Sequence, residues 1–149
     1  MPRKKIKQAT MRLVRQRAKH LCEYCHTAER WQHIAFTMDH IIPVTSGGIS
    51  EESNLALACF YCNRRKSNKI TGIDPENNKF VFLFHPRQHQ WEQHFIWSSD
   101  GVRIIGISSI GRATVSLFNF NRERVLKIRA ADIVINRHPP SGDPISTKA

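Results

Sequence analysis

Four polar residues in the first half of the chain have side chains suited to phosphodiester hydrolysis: Asp39, His40, Asn54 and Asn63. Such a reaction needs a base to activate water and a cation to stabilise the negative charge that develops. A neutral imidazole suits the first task, and a carboxylate with an amide oxygen suits a hard cation such as Mg²⁺. Each residue taken alone is more often structural, as a turn cap or a hydrogen-bonded histidine, so the prediction depends on their joint placement.

The four cysteines form two Cys-x-x-Cys pairs, Cys22 with Cys25 and Cys59 with Cys62, separated by residues 26–58. Two such pairs supply four thiolates to one tetrahedral zinc ion, which leaves no open coordination position and makes the site structural. A redox pair or four unrelated buried cysteines are the alternatives, but no cysteine is left over and the two spacings match. The pattern therefore predicts a structural Zn²⁺ next to the polar residues.

The apolar pattern indicates which elements position these groups. Apolar residues at three- and four-residue steps predict an amphipathic helix over 10–21 with Thr10 as its N-cap. Strands are predicted at 34–43 and 55–58, and a helix at 60–69. Neighbouring strand residues point to opposite faces, so Asp39 and His40 can share a cleft only if the first strand ends or bends there.

The charge of the chain favours a polyanionic partner. The formal charge is +11, and the first twenty residues contain eight basic and no acidic side chains. This excess is typical of proteins that grip nucleic-acid phosphates. No run of transmembrane length is present, and no apolar segment follows the basic N-terminus, so we expect a cytoplasmic protein without a membrane partner. Reduced thiols in that compartment favour the zinc interpretation.

The order of these motifs resembles the zinc-containing HNH endonucleases of bacteria. The resemblance is carried by Cys22-Glu23-Tyr24-Cys25, Asp39-His40-Ile41-Ile42-Pro43, Gly47-Gly48 and the run from Asn54 to Lys66, and it spans Cys22 to about Lys69. It implies an α+β fold in which a ββα-metal finger is stapled by the four-cysteine zinc site. The pattern adds an N-terminal basic helix and a small α+β C-terminal extension.

The resemblance also implies a role for each polar residue. His40 would be the general base, and Asp39 and Asn63 would hold a catalytic Mg²⁺ or Mn²⁺. Asn54 would pin the loop of the finger and help to orient the base. Asn63 stands where the family most often has a second histidine, which makes the motif an HNN variant.

Composition divides the chain into four parts. Residues 1–9 are predicted to be a flexible basic arm, 10–72 the nuclease core, 73–137 the C-terminal extension and 138–149 a disordered tail. The elements predicted in the extension are strands at 79–84 and 102–107, a short helix at 86–95, a helix at 109–117 that Ser109 caps, and a helix at 122–135. The cations predicted to contact nucleic acid are Arg64, Lys66, Arg87 and Arg112.

These features together predict a metal-dependent endonuclease that acts on DNA. A homodimer is a further prediction, because one finger site cuts one strand at a time. Two alternatives stay open at this point: a non-catalytic zinc-finger DNA-binding module, and a nuclease directed to RNA. Cleavage assays on DNA and RNA distinguish all three.

Overall fold

The structure is a computed structural model that describes residues 5–148. The first four residues of the predicted basic arm, with Arg3 and Lys4, lie outside the described residues. The chain divides into two compact units. Unit 1 holds the chain up to Ile70 together with the later segment His85–Gln88, and unit 2 holds Thr71–Phe84 and the residues from His89 onward.

Unit 1 contains a hairpin followed directly by a helix. Its elements are helix α1 (Gln8–Arg17), strands β1 (Thr37–His40) and β2 (Leu55–Ala58), and helix α2 (Phe60–Lys66). The two strands pair antiparallel, with Asp39 opposite Ala56 and His40 opposite Leu55. The succession β1, β2 and α2 is the ββα arrangement that the sequence predicts, and the predicted α+β class is confirmed.

Helix α1 packs an apolar stripe onto the hairpin. Val14 is fully buried, and the helix contacts β2. The helix begins before Thr10, so the predicted N-cap is wrong, and Lys7 takes that position without a side-chain hydrogen bond. It ends at Arg17 rather than at residue 21, because Lys19 and the residue after it adopt left-handed backbone that no helix continues.

Two arginines on α1 have structural partners in unit 1. The guanidinium of Arg17 donates to the carbonyls of Glu52 and Leu55 at 2.9 and 3.0 Å. Arg15 pairs with the carboxylate of Glu29 at 3.2 Å. Part of the basic charge of the N-terminal region therefore has partners within unit 1 and helps to hold that unit together.

Unit 2 consists of two hairpins and two helices. Its elements are β3 (Thr71–Asp74), β4 (Lys79–Phe82), β5 (Phe95–Trp97), β6 (Ile104–Gly106), α3 (Ser109–Phe118) and α4 (Glu123–Val134). Strand β3 pairs with β4 and β5 with β6, both antiparallel, and α3 packs against both hairpins. The core is largely aromatic, with buried Trp91, Phe95, Trp97, Phe118 and Phe120.

The sequence misses two strands of unit 2 and misplaces one helix. The sequence pattern predicts no strand over β3, which contains Gly72 and Asp74, or over β5, which has three residues. The helix predicted at 86–95 is a single 3-10 turn at Trp91–Gln93. Helix α3 is capped by Ser108 rather than Ser109, since the Ser108 hydroxyl accepts the N–H of Gly111 at 2.9 Å.

The chain after residue 138, predicted to be disordered, is held against β5. The carboxylate of Asp143 accepts a hydrogen bond from Nε1 of Trp97 at 2.9 Å. Ile145 forms a parallel bridge with Trp97. A buried indole N–H needs an acceptor, and the tail supplies it, which corrects the prediction based on proline content alone.

Candidate active site and metal centre

The two Cys-x-x-Cys pairs of unit 1 meet in one cluster. The sulfur atoms of Cys22, Cys25, Cys59 and Cys62 all lie within 4.8 Å of one another, and those of Cys25 and Cys59 are 3.8 Å apart. Zinc–sulfur bonds of about 2.3 Å in a tetrahedron place the sulfurs roughly 3.8 Å apart. The donor set and its spacing therefore fit a structural Zn²⁺ with no position left for a substrate.

Burial works against ionisation of two of the four thiols in the cluster. Burial raises the pKa of the Cys22 and Cys62 thiols well above the usual range. Hydrogen bonds from the neighbouring thiols, led by Cys22, hold the pKa of Cys25 well below it. Four thiolates can coexist in this space only when a divalent cation compensates their charge, as a coordinated metal does.

The metal cluster also fixes where α2 begins. Cys59 is the N-cap of α2, and its sulfur accepts the backbone N–H of Cys62 at 3.4 Å. Asn63 follows directly on the helix, so its position depends on the cluster. A structural metal at this place therefore supports the candidate active site on the same helix.

Three of the four predicted active-site residues line one cleft in unit 1. Asp39 and His40 contribute from the end of β1, and Asn63 contributes from α2. Pro43, Val44, Thr45, Ser67 and Asn68 complete the lining. Strand β1 ends at His40, which meets the geometric requirement that adjacent residues impose if both are to reach the same cleft.

The imidazole of His40 is oriented by a serine that the sequence reasoning missed. Its Nε2 lies 2.9 Å from Oγ of Ser50, and the residue is almost fully buried. In the tautomer whose Nε2 donates to the serine, Nδ1 carries the lone pair that a general base requires. The hydrogen bond therefore fixes the orientation of the ring, and in that tautomer it leaves Nδ1 as the basic nitrogen.

Asn54 closes the loop that carries Ser50. Its Oδ1 accepts the N–H of Ile42 at 2.8 Å, and its Nδ2 donates to the carbonyls of Ile42 and Ile49 at 2.9 Å each. Gly48 allows this close approach, because a Cβ there would lie 1.7 Å from the Ile42 carbonyl oxygen. Asn54 does not line the cleft, but its hydrogen bonds hold the loop on which Ser50 lies.

The carboxylate of Asp39 is buried between a tyrosine and a lysine. The hydroxyl of Tyr24 donates to Oδ2 at 2.6 Å, and Nζ of Lys66 lies 3.2 Å from the same oxygen. Burial, and then the charge of Asp39, raise the pKa of Tyr24 well above its usual value, so the hydroxyl keeps its proton. Two carboxylate oxygens offer about four acceptor positions, so Asp39 can keep both partners and still face a cation in the cleft.

Lys66 has a different role from the one predicted. Its side chain is 2% exposed, and its ammonium donates to the carbonyl of His40 at 3.0 Å as well as pairing with Asp39. The predicted contact with a substrate phosphate is therefore wrong, because the ammonium group is buried and paired with acceptors of unit 1. Lys66 lies one helical turn beyond Asn63, as the spacing predicts, but on the buried side of α2.

The other three predicted cations differ in their surroundings. Arg87 pairs with Glu23, and burial followed by the nearby charge of Arg17 lowers the pKa of Arg87 to about 10, so it stays protonated near neutrality. Arg112 pairs with Asp74 and Glu76, at 2.9 Å each. Arg64 is exposed, with its guanidinium 5.3 Å from the ring centroid of Phe60. A phosphate would have to compete with a carboxylate at Arg87 and Arg112, whereas Arg64 faces solvent.

Tyr24 and Ser50 are the functional candidates that the sequence does not reveal. Tyr24 lies between two cysteines and Ser50 follows the Gly-Gly turn, so each belongs to a segment that the motif analysis covers. No sequence pattern links Tyr24 to Asp39 or Ser50 to His40. Their roles depend on where the segments meet, and only the structure shows that.

Comparison with known proteins agrees with this geometry. Residues 22–69 match the family model described as HNH endonuclease. A search of curated proteins and a search of solved structures each found no match. Within residues 5–148, no helix is long and apolar enough to cross a membrane.

Proposed function

We propose that the protein is a metal-dependent endonuclease that hydrolyses phosphodiester bonds of DNA, because residues 22–69 match the family model described as HNH endonuclease. The observation that carries the proposal is that Asp39, His40 and Asn63 line a single cleft in that domain. A zinc module that only binds DNA has no need to gather a base and two hard oxygen donors at one place.

The oxygen donors in the cleft fit a catalytic Mg²⁺ or Mn²⁺. Asp39 supplies a carboxylate and Asn63 an amide oxygen, both of which hard divalent cations accept. When bound there, such a cation supplies stabilisation of the negative charge on the phosphate and the leaving oxygen. Tyr24 and Lys66 hold the Asp39 carboxylate in place through a hydrogen bond and an ion pair.

His40 is the proposed general base. Its imidazole takes the proton of the attacking water, and its hydrogen bond to Ser50 prevents the ring from turning away. Asn54 holds the loop on which Ser50 lies, so its contribution to the reaction is positional.

The charge of the chain supports a nucleic-acid substrate, and the resemblance of the motif favours DNA. Exposed Lys5, Lys7, Arg12 and Lys19 accompany a chain of formal charge +11, as a polyanionic substrate requires. The structure and the comparisons give no support to the predicted homodimer, which stays a prediction, as does the cytoplasmic location.

Cleavage of supercoiled plasmid tests the proposal. The protein is incubated with plasmid and Mg²⁺ or Mn²⁺, and nicked and linear products are separated on a gel. We expect cleavage that EDTA abolishes, and a His40→Ala variant slower by on the order of 10²- to 10⁴-fold. His33→Ala is the matched control, because His33 is exposed and lies outside the cleft.

Three outcomes would contradict parts of the proposal. Cleavage by His40→Ala at the wild-type rate would remove the assigned base. Tight DNA binding with zinc bound but no cleavage in either metal would favour the binding-module alternative. Faster cleavage of RNA than of single- or double-stranded DNA under the same conditions would change the substrate.

A further inference from the structure

Helix α2 presents an exposed aromatic–arginine pair beside the cleft. Phe60 is 51% exposed, although it is the first residue of a helix whose other face is buried, and the guanidinium of Arg64 lies over its ring. We propose that Phe60 and Arg64 form a stacking site for one unpaired base of the substrate strand, next to the phosphate that is cleaved. The inference rests on the proposed function, because it assigns a substrate feature to the same site.

The position of the pair on α2 ties it to the cleft. Residues three and four apart on a helix are neighbours on one face. Phe60 precedes Asn63 by three residues and Arg64 by four, and Asn63 lines the cleft. The opposite side of the helix carries Cys62 and Lys66, which are buried. The aromatic pair therefore lies within one helical turn of Asn63, a residue of the cleft wall.

The chemistry of the pair suits a nucleobase. The face of a phenyl ring and the plane of a guanidinium both stack on bases, and the guanidinium adds attraction for the adjoining phosphate. Bases inside a duplex are already stacked on their neighbours, so an exposed pair of this kind gains most from a base that is unpaired. We therefore expect the site to favour single-stranded or locally opened nucleic acid.

The chain offers a matched control pair in the same unit. Arg30 lies over the ring of Trp31 at 4.7 Å, and Trp31 is 39% exposed. This pair follows the first cysteine knuckle and does not belong to α2. The two pairs have the same chemistry at different places. Replacing Trp31 therefore measures the general effect of removing an exposed aromatic residue, against which the effect of replacing Phe60 is compared.

A binding cycle tests the inference without cleavage. All variants are made in the His40→Ala protein and measured without catalytic metal, by fluorescence anisotropy. The probes are two single strands of equal length and charge, an oligothymidylate and a fully abasic strand. Phe60→Ala is expected to weaken binding of the oligothymidylate roughly tenfold and to leave the abasic strand unchanged. Phe60→Tyr is expected to bind both as the parent does, and Trp31→Ala is expected to show a smaller difference between the strands.

A fully paired duplex of the same length is the third probe. The inference is overturned if Phe60→Ala weakens binding of both single strands equally, weakens binding of neither, or weakens binding of the duplex as much as that of the oligothymidylate. Zinc content and melting temperature of Phe60→Ala are measured alongside and are expected to match the parent, because the side chain is exposed. Failure of the wild-type protein to nick plasmid would reject the proposed function alone, since the binding cycle does not depend on cleavage.

Discussion

The ammonium of Lys66 lies 3.2 Å from the carboxylate of Asp39, and both side chains are almost completely removed from solvent. Removing one partner of a buried ion pair leaves the other charged, unpaired and desolvated, which typically destabilises a protein by about 3–5 kcal/mol. The pair therefore makes the position of the proposed metal ligand a condition of folding and not only of catalysis.

Lys66→Met is expected to lower the free energy of unfolding by about 3–5 kcal/mol and to impair cleavage. Lys69→Met is the matched control, because Lys69 is exposed. The double variant Lys66→Met with Asp39→Asn removes both charges and should recover part of the stability but none of the activity. Denaturant unfolding with plasmid cleavage measures both effects, and a Lys66→Met protein of unchanged stability would show that the buried pair contributes little.

Ser50→Ala is expected to slow cleavage about two- to tenfold, because it removes one hydrogen bond that orients His40. The loss should fall on kcat and leave KM unchanged, since Ser50 positions the base and does not contact substrate. Ser50→Thr restores a hydroxyl and should recover most of the rate. Steady-state kinetics on a labelled oligonucleotide measures both constants, and a loss confined to KM would reject the positioning role.

Gly48→Ala is expected to destabilise unit 1 more than Gly47→Ala does. At Gly48 a methyl group would overlap the Ile42 carbonyl oxygen and approach Nδ2 of Asn54 to 2.9 Å, which forces the loop open. At Gly47 nothing lies within 4 Å, and the strain comes only from its left-handed backbone, about 1–2 kcal/mol. Thermal unfolding of the two variants gives the order, and the reverse order would contradict the loop closure.

Cys59→Ala is expected to release zinc and unfold unit 1, since binding by four thiolates contributes on the order of 10 kcal/mol to folding. Removal of zinc from the wild-type protein by a strong chelator should have the same effect on the circular dichroism spectrum. Metal analysis of the purified protein should give one zinc per chain. A Cys59→Ala protein with wild-type melting temperature would remove the structural role of the cluster.

The Arg112–Asp74 pair predicts a pH-dependent stability of unit 2. Hydrogen bonds from Arg112, the larger cause, and from the backbone of Glu76 hold the pKa of Asp74 below its usual value near 4. A carboxylate whose pKa is lower in the folded state than in the unfolded state stabilises the fold at pH values above its unfolded pKa. This contribution is lost as the pH falls through the folded-state pKa. Wild type and Asp74→Asn should therefore differ near neutrality and converge below about pH 4. Fluorescence of Trp91 and Trp97 follows this unfolding, and a constant difference down to pH 2 would contradict the assignment.

The chemistry of neighbouring residues was predictable from the sequence, and contacts between distant segments of the chain were not. Cysteine spacing and the Asp39-His40 dipeptide specify the donor set because they are short-range patterns. Lys66 shows the limit, since a lysine at that spacing suits either a phosphate or a buried carboxylate. Its burial follows from how α2 lies on β1, which no spacing encodes. Strands as short as β5 form because their partners pack well, so their own residues carry little signal.

The return of His85–Gln88 to unit 1 affects any attempt to transplant the finger into another protein. Glu23, whose carboxylate also accepts the backbone N–H of Leu57 at 2.8 Å, takes its cation Arg87 from that later segment. A fragment cut at residue 72 would keep every zinc ligand and every proposed catalytic group, yet it would leave this carboxylate without its counter-charge. A portable version of the finger therefore needs either the distant segment or a neutral residue at position 23.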